Sequence, residues 1–404
     1  MSKKDLKAAQ PSERARALDE TRNEKMARSV SGYVRGAPQK FYLWLAESKK
    51  DAVPEGPRIW ICGDCHCGNI GPCANDQGEF AIEIRDFDQT VIGNPAYDLV
   101  RLGLSLASAA MVSDLPGVTI ADILESMMRS YEMAFQDGFD AERDLEQPKA
   151  VRRSIKEAKA ATWKSLIEEN AAREKPVLPL GSSFWPVSDE ERSELDKLFR
   201  SEDMRALATL LSGRKDHADI DLIDAAYWKK GCSSLGQLRY AALLEVGGKR
   251  NDRAHCFMDL KAAAKALAPH AQAAAPELPA DHARRVVAGA RKLSLFLGER
   301  MRAVKLMGKS MFVRELLPQD LKIDIEQLDR PEARMAAGFL AAIVGKAHAR
   351  QMDAGARKDW KAELARGRTK SLDAPSWLWR DVVELLADHE RGYLEHCRRF
   401  SLAA

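Results

Sequence analysis

An α+β, helix-rich fold is predicted by three features of the chain. Compact apolar runs bounded by Gly and Asp recur over 58–85 and 237–260. Helical periodicity dominates elsewhere, and a 45% hydrophobic content over 404 residues can bury a large core. Together these give a small strand-containing lobe beside a larger helical lobe.

In chain order, residues 1–30 carry eight Lys/Arg and five Asp/Glu, which predicts an exposed charged helix or a disordered arm. Gly32 to Pro38 breaks it, and Phe41, Trp44 and Leu45 give a short apolar helix face. A strand is expected over 58–62. A second runs over 79–85, where Phe80, Ile82 and Ile84 share one face. Between them lies the loop Gly63 to Gly71. After them come Asp86-Phe87-Asp88 and the turn Gly93-Asn94-Pro95. Leu99, Leu102 and Leu106 then form a helical stripe, and the helical pattern extends to about residue 173. Three prolines over 176–186 mark a boundary, short helices follow at 188–200 and 202–213, and 119–230 reads as a mainly helical block. At Gly231-Cys232-Ser233-Ser234-Leu235-Gly236 the character changes to a hairpin, with strands over 237–246 and 254–260. A helix over 280–302, a strand at Met311-Phe312-Val313 and helices over 335–352 and 377–400 complete the pattern. The chain thus divides into an arm (1–30), a catalytic-loop and helical region (31–230), a glycine-rich hairpin region (231–330) and a helical end (331–404).

Composition narrows the function classes. Lys+Arg at 63 against Asp+Glu at 60 gives a net charge of +3 with no concentrated basic block, which points away from nucleic acid and membrane surfaces. No secretory h-region and no run of 18 apolar residues occurs, so a soluble, cytoplasmic protein is expected. Seven cysteines, four of them between Cys62 and Cys73, fit reduced thiols better than a disulfide framework.

The chemistry concentrates in two loops. Asp64 and Asn69 occupy the first, Asp86 and Asp88 the second. Carboxylate and amide oxygens suit Mg²⁺, which keeps water and substrate phosphate in the rest of its shell. Phosphoryl transfer needs that metal, a carboxylate to orient the attacking hydroxyl, and groups that cradle the nucleotide. If the strands over 58–62 and 79–85 pair, both loops leave one edge and converge. Asp64 is then the catalytic base, with Asn69, Asp86 and Asp88 as metal ligands.

Gly63-Asp64-Cys65-His66-Cys67-Gly68-Asn69, followed by Asp86-Phe87-Asp88 and Gly93 to Leu99, resembles the catalytic and metal-binding segments of aminoglycoside phosphotransferases and choline kinases. The chain is more similar still to an uncharacterised bacterial family, a domain of unknown function. That likeness rests on Arg35-Gly36, both loops, Gly231 to Gly236 and Lys261. It implies a two-lobed, protein-kinase-like fold in which the glycine-rich loop and its Lys follow the catalytic loop, a circular permutation of the usual order. It further implies Mg²⁺ and ATP as cofactors and an unknown hydroxyl acceptor. Gly231, Ser233, Ser234, Gly236 and Lys261 would contact nucleotide, and Asp98 would support the loop. The Glu that pairs with such a Lys has no motif here, with Glu277 and Glu299 as candidates.

Other readings stand beside this one. The acidic residues can be turn formers. His66 and His348 can be structural, and Arg35, Arg101 and Arg314 can make ion pairs rather than bind anions. The Cys62, Cys65, His66, Cys67, Cys73 cluster can hold a metal. The protein can also be a nucleotide-binding regulator without turnover.

Overall fold

The structure, a computed structural model, describes residues 9–47, 53–161, 177–211, 214–216, 218–232, 235–247, 254–268, 278–321, 323, 328–366, 368 and 374–400. It is mixed α and β. The first half runs α1 (Arg14–Ala27), α2 (Val30–Gly36), α3 (Pro38–Glu47), β1 (Ile59–Ile61), β2 (Ile70–Ala74), β3 (Phe80–Ile84), β4 (Val91–Gly93), α4 (Ala96–Val112), α5 (Val118–Met133), α6 (Ala141–Asp144) and α7 (Lys149–Ala160). The second half runs β5 (Phe184–Trp185), α8 (Asp189–Phe199), α9 (Glu202–Ala208), β6 (Ile220–Trp228), β7 (Arg239–Val246), β8 (Ala254–Ala262), α10 (His282–Leu293), α11 (Leu295–Glu299), β9 (Met301–Leu306), β10 (Lys309–Leu316), α12 (Arg330–Ala349), α13 (Ala354–Ala365) and α14 (Ser376–Phe400).

Six strands form one antiparallel sheet in the order β5-β6-β7-β8-β10-β9. Both of its faces are covered, which is why β7 reads Arg-Tyr-Ala-Ala-Leu-Leu-Glu-Val rather than alternating with polar residues. Tyr240, Ala242 and Leu244 pack with Leu195 and Phe199 of α8 and Met204 and Leu207 of α9. Ala241 and Leu243 pack on the other side with Phe184, Trp228 and Phe257. That second face continues along the strands into Arg239, Asp259, Lys261 and Arg314, which lie across from one another in register.

The helical half is built round α4 and α12, which are buried on nearly every side. α12 lies along α5, and Gly338 and Gly345 allow the approach. A Cβ at Gly338 would meet Ser130 Oγ at 2.8 Å, and one at Gly345 would meet the Tyr131 carbonyl at 2.7 Å.

Several expectations change. The strands at 58–62 and 79–85 do not pair with each other. β1 pairs with β4, and β3 pairs with β2, because the residues just after the first loop are themselves a buried strand that fills the position beside β3. Ile220–Trp228, taken as part of a helical block, is a long strand of the main sheet, and Phe184–Trp185 adds its edge. The helix over 280–302 breaks at Ser294, whose hydroxyl caps α11, and the chain then enters β9 at Met301. Nor is 14–27 a free arm. Arg14, Leu18 and Met26 are buried, and Arg14 is ion-paired with buried Glu191 at 2.6 Å. The other end of α1 docks on α14, where Tyr393 Oη donates to the Ala27 carbonyl at 3.2 Å. Among the described residues, no helix is long and apolar enough to cross a membrane.

Candidate functional site

The first loop is suspended from the start of α4. Asp98, fully buried, accepts from the backbone N–H of Cys62 at 2.8 Å and of Gly63 at 2.9 Å, one on each carboxylate oxygen. His348 Nε2 lies 3.2 Å from the same carboxylate, and its Nδ1 lies 2.9 Å from Tyr131 Oη, which in turn accepts from Trp360 Nε1 at 3.1 Å. A carboxylate only accepts, so this chain fixes the tautomer with the proton on Nε2 and Tyr131 donating to Nδ1. Gly63 turns with φ +76°, and a Cβ there would sit 2.2 Å from the Gln89 carbonyl, a place only glycine fills. Tyr42 Oη donates to the Gly63 carbonyl.

This support sets Asp64. One turn of α4 beyond Asp98, Arg101 donates from Nε to Asp64 Oδ1 at 2.8 Å and from Nη2 to the Val34 carbonyl at 2.7 Å. Burial pushes the Asp64 carboxyl up, and Arg101 opposes that shift. Asn69 donates its amide nitrogen to the Asp64 carbonyl at 2.9 Å, which turns Oδ1 the other way and leaves it unbonded among the described residues. His66 is a loop tether, accepting from Gly68 N–H at 3.2 Å through Nδ1. Arg35, at the end of α2, stands over the same loop, 3.5 Å from where a Cβ on Gly68 would be.

The second loop approaches from β3. Cys62 Sγ donates to the Asp86 carbonyl at 3.4 Å, so the two loops do converge, although by a route other than direct strand pairing. Asp86 is half exposed and Asp88 less so. Lys261 on β8 reaches between them, in contact with Asp88 and 3.9 Å from Asp86 Oδ2. Burial works against the charge of Asp86, yet Lys261 and Arg314 outweigh it and hold its carboxyl well below the usual range. Asp88 is pushed up to about 6 by burial and by the neighbouring Asp86. Its Oδ1 is buried without a partner among the described residues.

The remaining charged face of the sheet locks the start of this segment. Asp259 receives Arg239 at 2.8 and 2.6 Å and Arg314 at 3.0 Å, and Arg314 also donates to the Arg85 carbonyl at 3.1 Å. Arg285, a lone charge on the apolar face of α10, donates to the Asp88 carbonyl at 2.8 Å and to the Thr90 carbonyl. Neither Asp259 nor Arg285 was singled out from the sequence. Arg285 had a signal, since it interrupts the stripe Ala283, Val286, Val287, Ala290.

Gly231 and Gly236 bound the connection from β6 to β7, both with positive φ, +104° and +103°. Lys25 of α1 donates to the Gly231 carbonyl at 2.8 Å. Ser233 and Ser234 lie outside the described residues, as does Glu277. Glu299 is exposed, and Arg302 donates to its backbone carbonyl at 2.8 Å. The partner of Lys261 is instead the acidic pair Asp86 and Asp88.

The cysteines face inward. Cys62, Cys65, Cys67 and Cys73 are all buried, Ser105 Oγ donates to Cys67 Sγ at 3.1 Å, and burial pushes the Cys73 thiol up to about 12. Among the described residues no group of three or more His, Cys, Asp or Glu side chains gathers as a ready metal cluster.

The two adjoining loops carry hard oxygen donors: the Oδ1 of Asn69, unbonded among the described residues, the half-exposed Asp86 carboxylate and the Oδ1 of Asp88. They fit Mg²⁺, which completes its shell with water and phosphate. No curated protein and no solved structure matches the chain. Its sequence fits the profile of a family described as an uncharacterized protein conserved in bacteria, DUF2252, over residues 14–399. The chain therefore belongs to the DUF2252 family.

Proposed function

We propose that the protein is a Mg²⁺-dependent phosphotransferase that moves the γ-phosphate of ATP to a hydroxyl of a small molecule or protein. The observation that carries this reading is the convergence of Asp64, Asn69, Asp86 and Lys261. The Asn69 amide is pinned by the Asp64 carbonyl, and the Lys stands among acidic groups that a cation would otherwise occupy. Phosphoryl transfer is mostly positioning and charge neutralisation, and these residues supply both.

The order of the main sheet supports the same reading. In protein kinases a glycine-rich loop covers the phosphates, the Lys stands on the third strand, and a helix follows. Here Gly231 and Gly236 lie between β6 and β7, Lys261 ends β8, and α10 comes before β9. The phosphate-covering strands would then be encoded after the catalytic loop, a permuted kinase-like arrangement.

Each residue takes a part. Asp64 accepts the acceptor's proton or orients its hydroxyl, held by Arg101. Asn69 and Asp86 would hold Mg²⁺, with Asp88 beside them. Lys261, now against Asp88 and Asp86, would pair with the nucleotide phosphates. Bound Mg²⁺ would supply neutralisation of the phosphate charge. A regulator that binds nucleotide without turnover is the second reading, favoured by Lys261 pairing with Asp88 and Asp86 rather than with a Glu of α10.

The test is a thermal-shift titration with ATP, with and without Mg²⁺, on wild type and Asp86→Ala. A ligand that binds only the folded protein raises its melting temperature according to concentration over affinity. A Mg²⁺-dependent rise lost in the variant is expected. An equal rise in both proteins, or none with any nucleotide, overturns the proposal.

A further inference from the structure

Behind the catalytic segment, where β1 and β4 meet the end of α10, the surface folds into a cavity of about 570 Å³. It shares no lining residue with the site described above. Its walls carry Arg58, Arg291, Lys292 and Arg350, with Trp60 and Gln351 between them, and none of its lining residues is acidic.

The four cations have no acid beside them in the cavity wall. None makes an ion pair among the described residues, whereas Arg14, Arg101, Arg239 and Arg300 elsewhere in the chain each have a buried carboxylate. Arg350 is partly buried. It donates from Nη2 to the Leu293 carbonyl at 3.3 Å, but its Nε is buried with no partner among the described residues. The nearest acid behind it, Glu83, already accepts from Ser294 Oγ and from the N–H groups of Leu295 and Phe296, the latter two at 3.0 and 3.1 Å. Burial lowers the Arg350 pKa, and Glu83 offsets this in part. Four like charges round one concavity repel each other and focus a positive potential into it, so the empty site is electrostatically disfavoured and an anion relieves it.

Shape decides what kind of anion. The volume lies within the range for small ligands, and the surface is concave rather than a flat stripe such as a nucleic-acid backbone follows. Trp60 and the exposed Leu295 add an apolar edge beside the charges. The walls are also mechanically close to the catalytic segment. Trp60 lies on β1, which leads directly into the loop of Asp64, Ile92 lies on β4 just past Thr90, and Gln351 bonds both backbone groups of Trp60 at 2.9 and 3.0 Å.

We propose that this cavity is a second ligand site, one that binds a small molecule carrying two or more phosphate groups on the rear of the catalytic segment.

The experiment is calorimetric titration of the full chain with inorganic tripolyphosphate in EDTA, where no metal can draw the probe to Asp86. One saturable site whose affinity falls with added salt is expected. The double variant Arg291→Glu/Lys292→Glu, at two exposed positions, should weaken it by at least about tenfold, while Asp86→Ala should leave it unchanged. Arg58→Glu on the opposite wall should weaken it independently, which covers the case in which the helix variant fails to fold. Absence of saturable binding, or binding that survives both charge reversals or is lost in Asp86→Ala, overturns the proposal. So does a duplex oligonucleotide that binds through these residues when tripolyphosphate does not.

Discussion

The two loops that meet at the candidate site are held in opposite ways. Around Asp64 most side-chain groups are bonded, with Arg101 Nη1 the exception, buried and unpartnered among the described residues. Asp98 takes two backbone N–H groups, Arg101 takes Asp64, and His348 and Tyr131 extend the chain into the core. Around Asp86 the bonding is left open. Two carboxylates share one ammonium, and Asp88 Oδ1 has no partner among the described residues. The first half is built to keep a geometry. The second leaves two carboxylates at close range, a pair that is relieved by a cation or by taking up a proton.

That contrast can be broken on the loop side. Asp98→Ala leaves the Cys62 and Gly63 N–H groups and His348 without their acceptor in the core. Unsatisfied buried donors cost roughly 1–3 kcal/mol each, and part of that is recovered by relaxation, so a loss of roughly 3 kcal/mol is expected. Urea unfolding measures it. Added Mg²⁺ should not restore it, because the damage is to hydrogen bonding and not to charge. A wild-type midpoint would mean that the loop is held by packing alone.

The charged side should respond in the reverse sense. Lys261→Met removes the ammonium from between Asp86 and Asp88 and leaves two carboxylates facing each other. A destabilisation of roughly 2 kcal/mol is expected in EDTA, the cost of a partly buried charge pair losing its partner, discounted because Asp86 is half exposed. Millimolar Mg²⁺ should recover much of it, as a divalent cation takes the place of the Lys charge. Equal stability with and without Mg²⁺ would show that the acidic pair is not a cation site.

The same contrast governs what could be read from sequence. The placement of the loop residues is legible: Asp64, Asn69, Asp86 and Asp88 follow apolar runs, and Asp98 opens a helix. Gly231 to Gly236 was legible as a loop for the same reason. What was hidden depends on distant partners. β6 reads as part of a helical block because Ile-Asp-Leu-Ile-Asp-Ala-Ala-Tyr-Trp, buried on both faces toward its end, lacks the alternation of a half-buried strand. The pairing of β1 with β4 rather than β3 follows from a strand only three residues long, too short for its pattern to choose a neighbour. The likeness points to a helix Glu as the partner of Lys261, while the acids that hold it lie about 170 residues earlier in the chain.

The subtlest difference between the halves is in their titration, and Asp88→Asn isolates it. Asp88 is raised from 3.8 to about 6, so between those values the folded protein binds a proton that the unfolded chain has released. Stability from this group is therefore present at the acid end of the window and falls as pH rises from 3.8 to about 6. Buried His389, lowered from 6.5 to about 4, runs the other way and adds stability as pH rises over nearly the same range, so the wild-type curve alone conceals both. Subtracting the Asp88→Asn curve removes the His389 contribution, which is common to the two proteins. The difference, wild type minus variant, should decline from pH 4 to pH 6 in EDTA and flatten in Mg²⁺, because a bound cation stabilises the ionised carboxylate. A difference that is flat in EDTA would mean that Lys261 alone neutralises the pair and that this half of the site is as closed as the other.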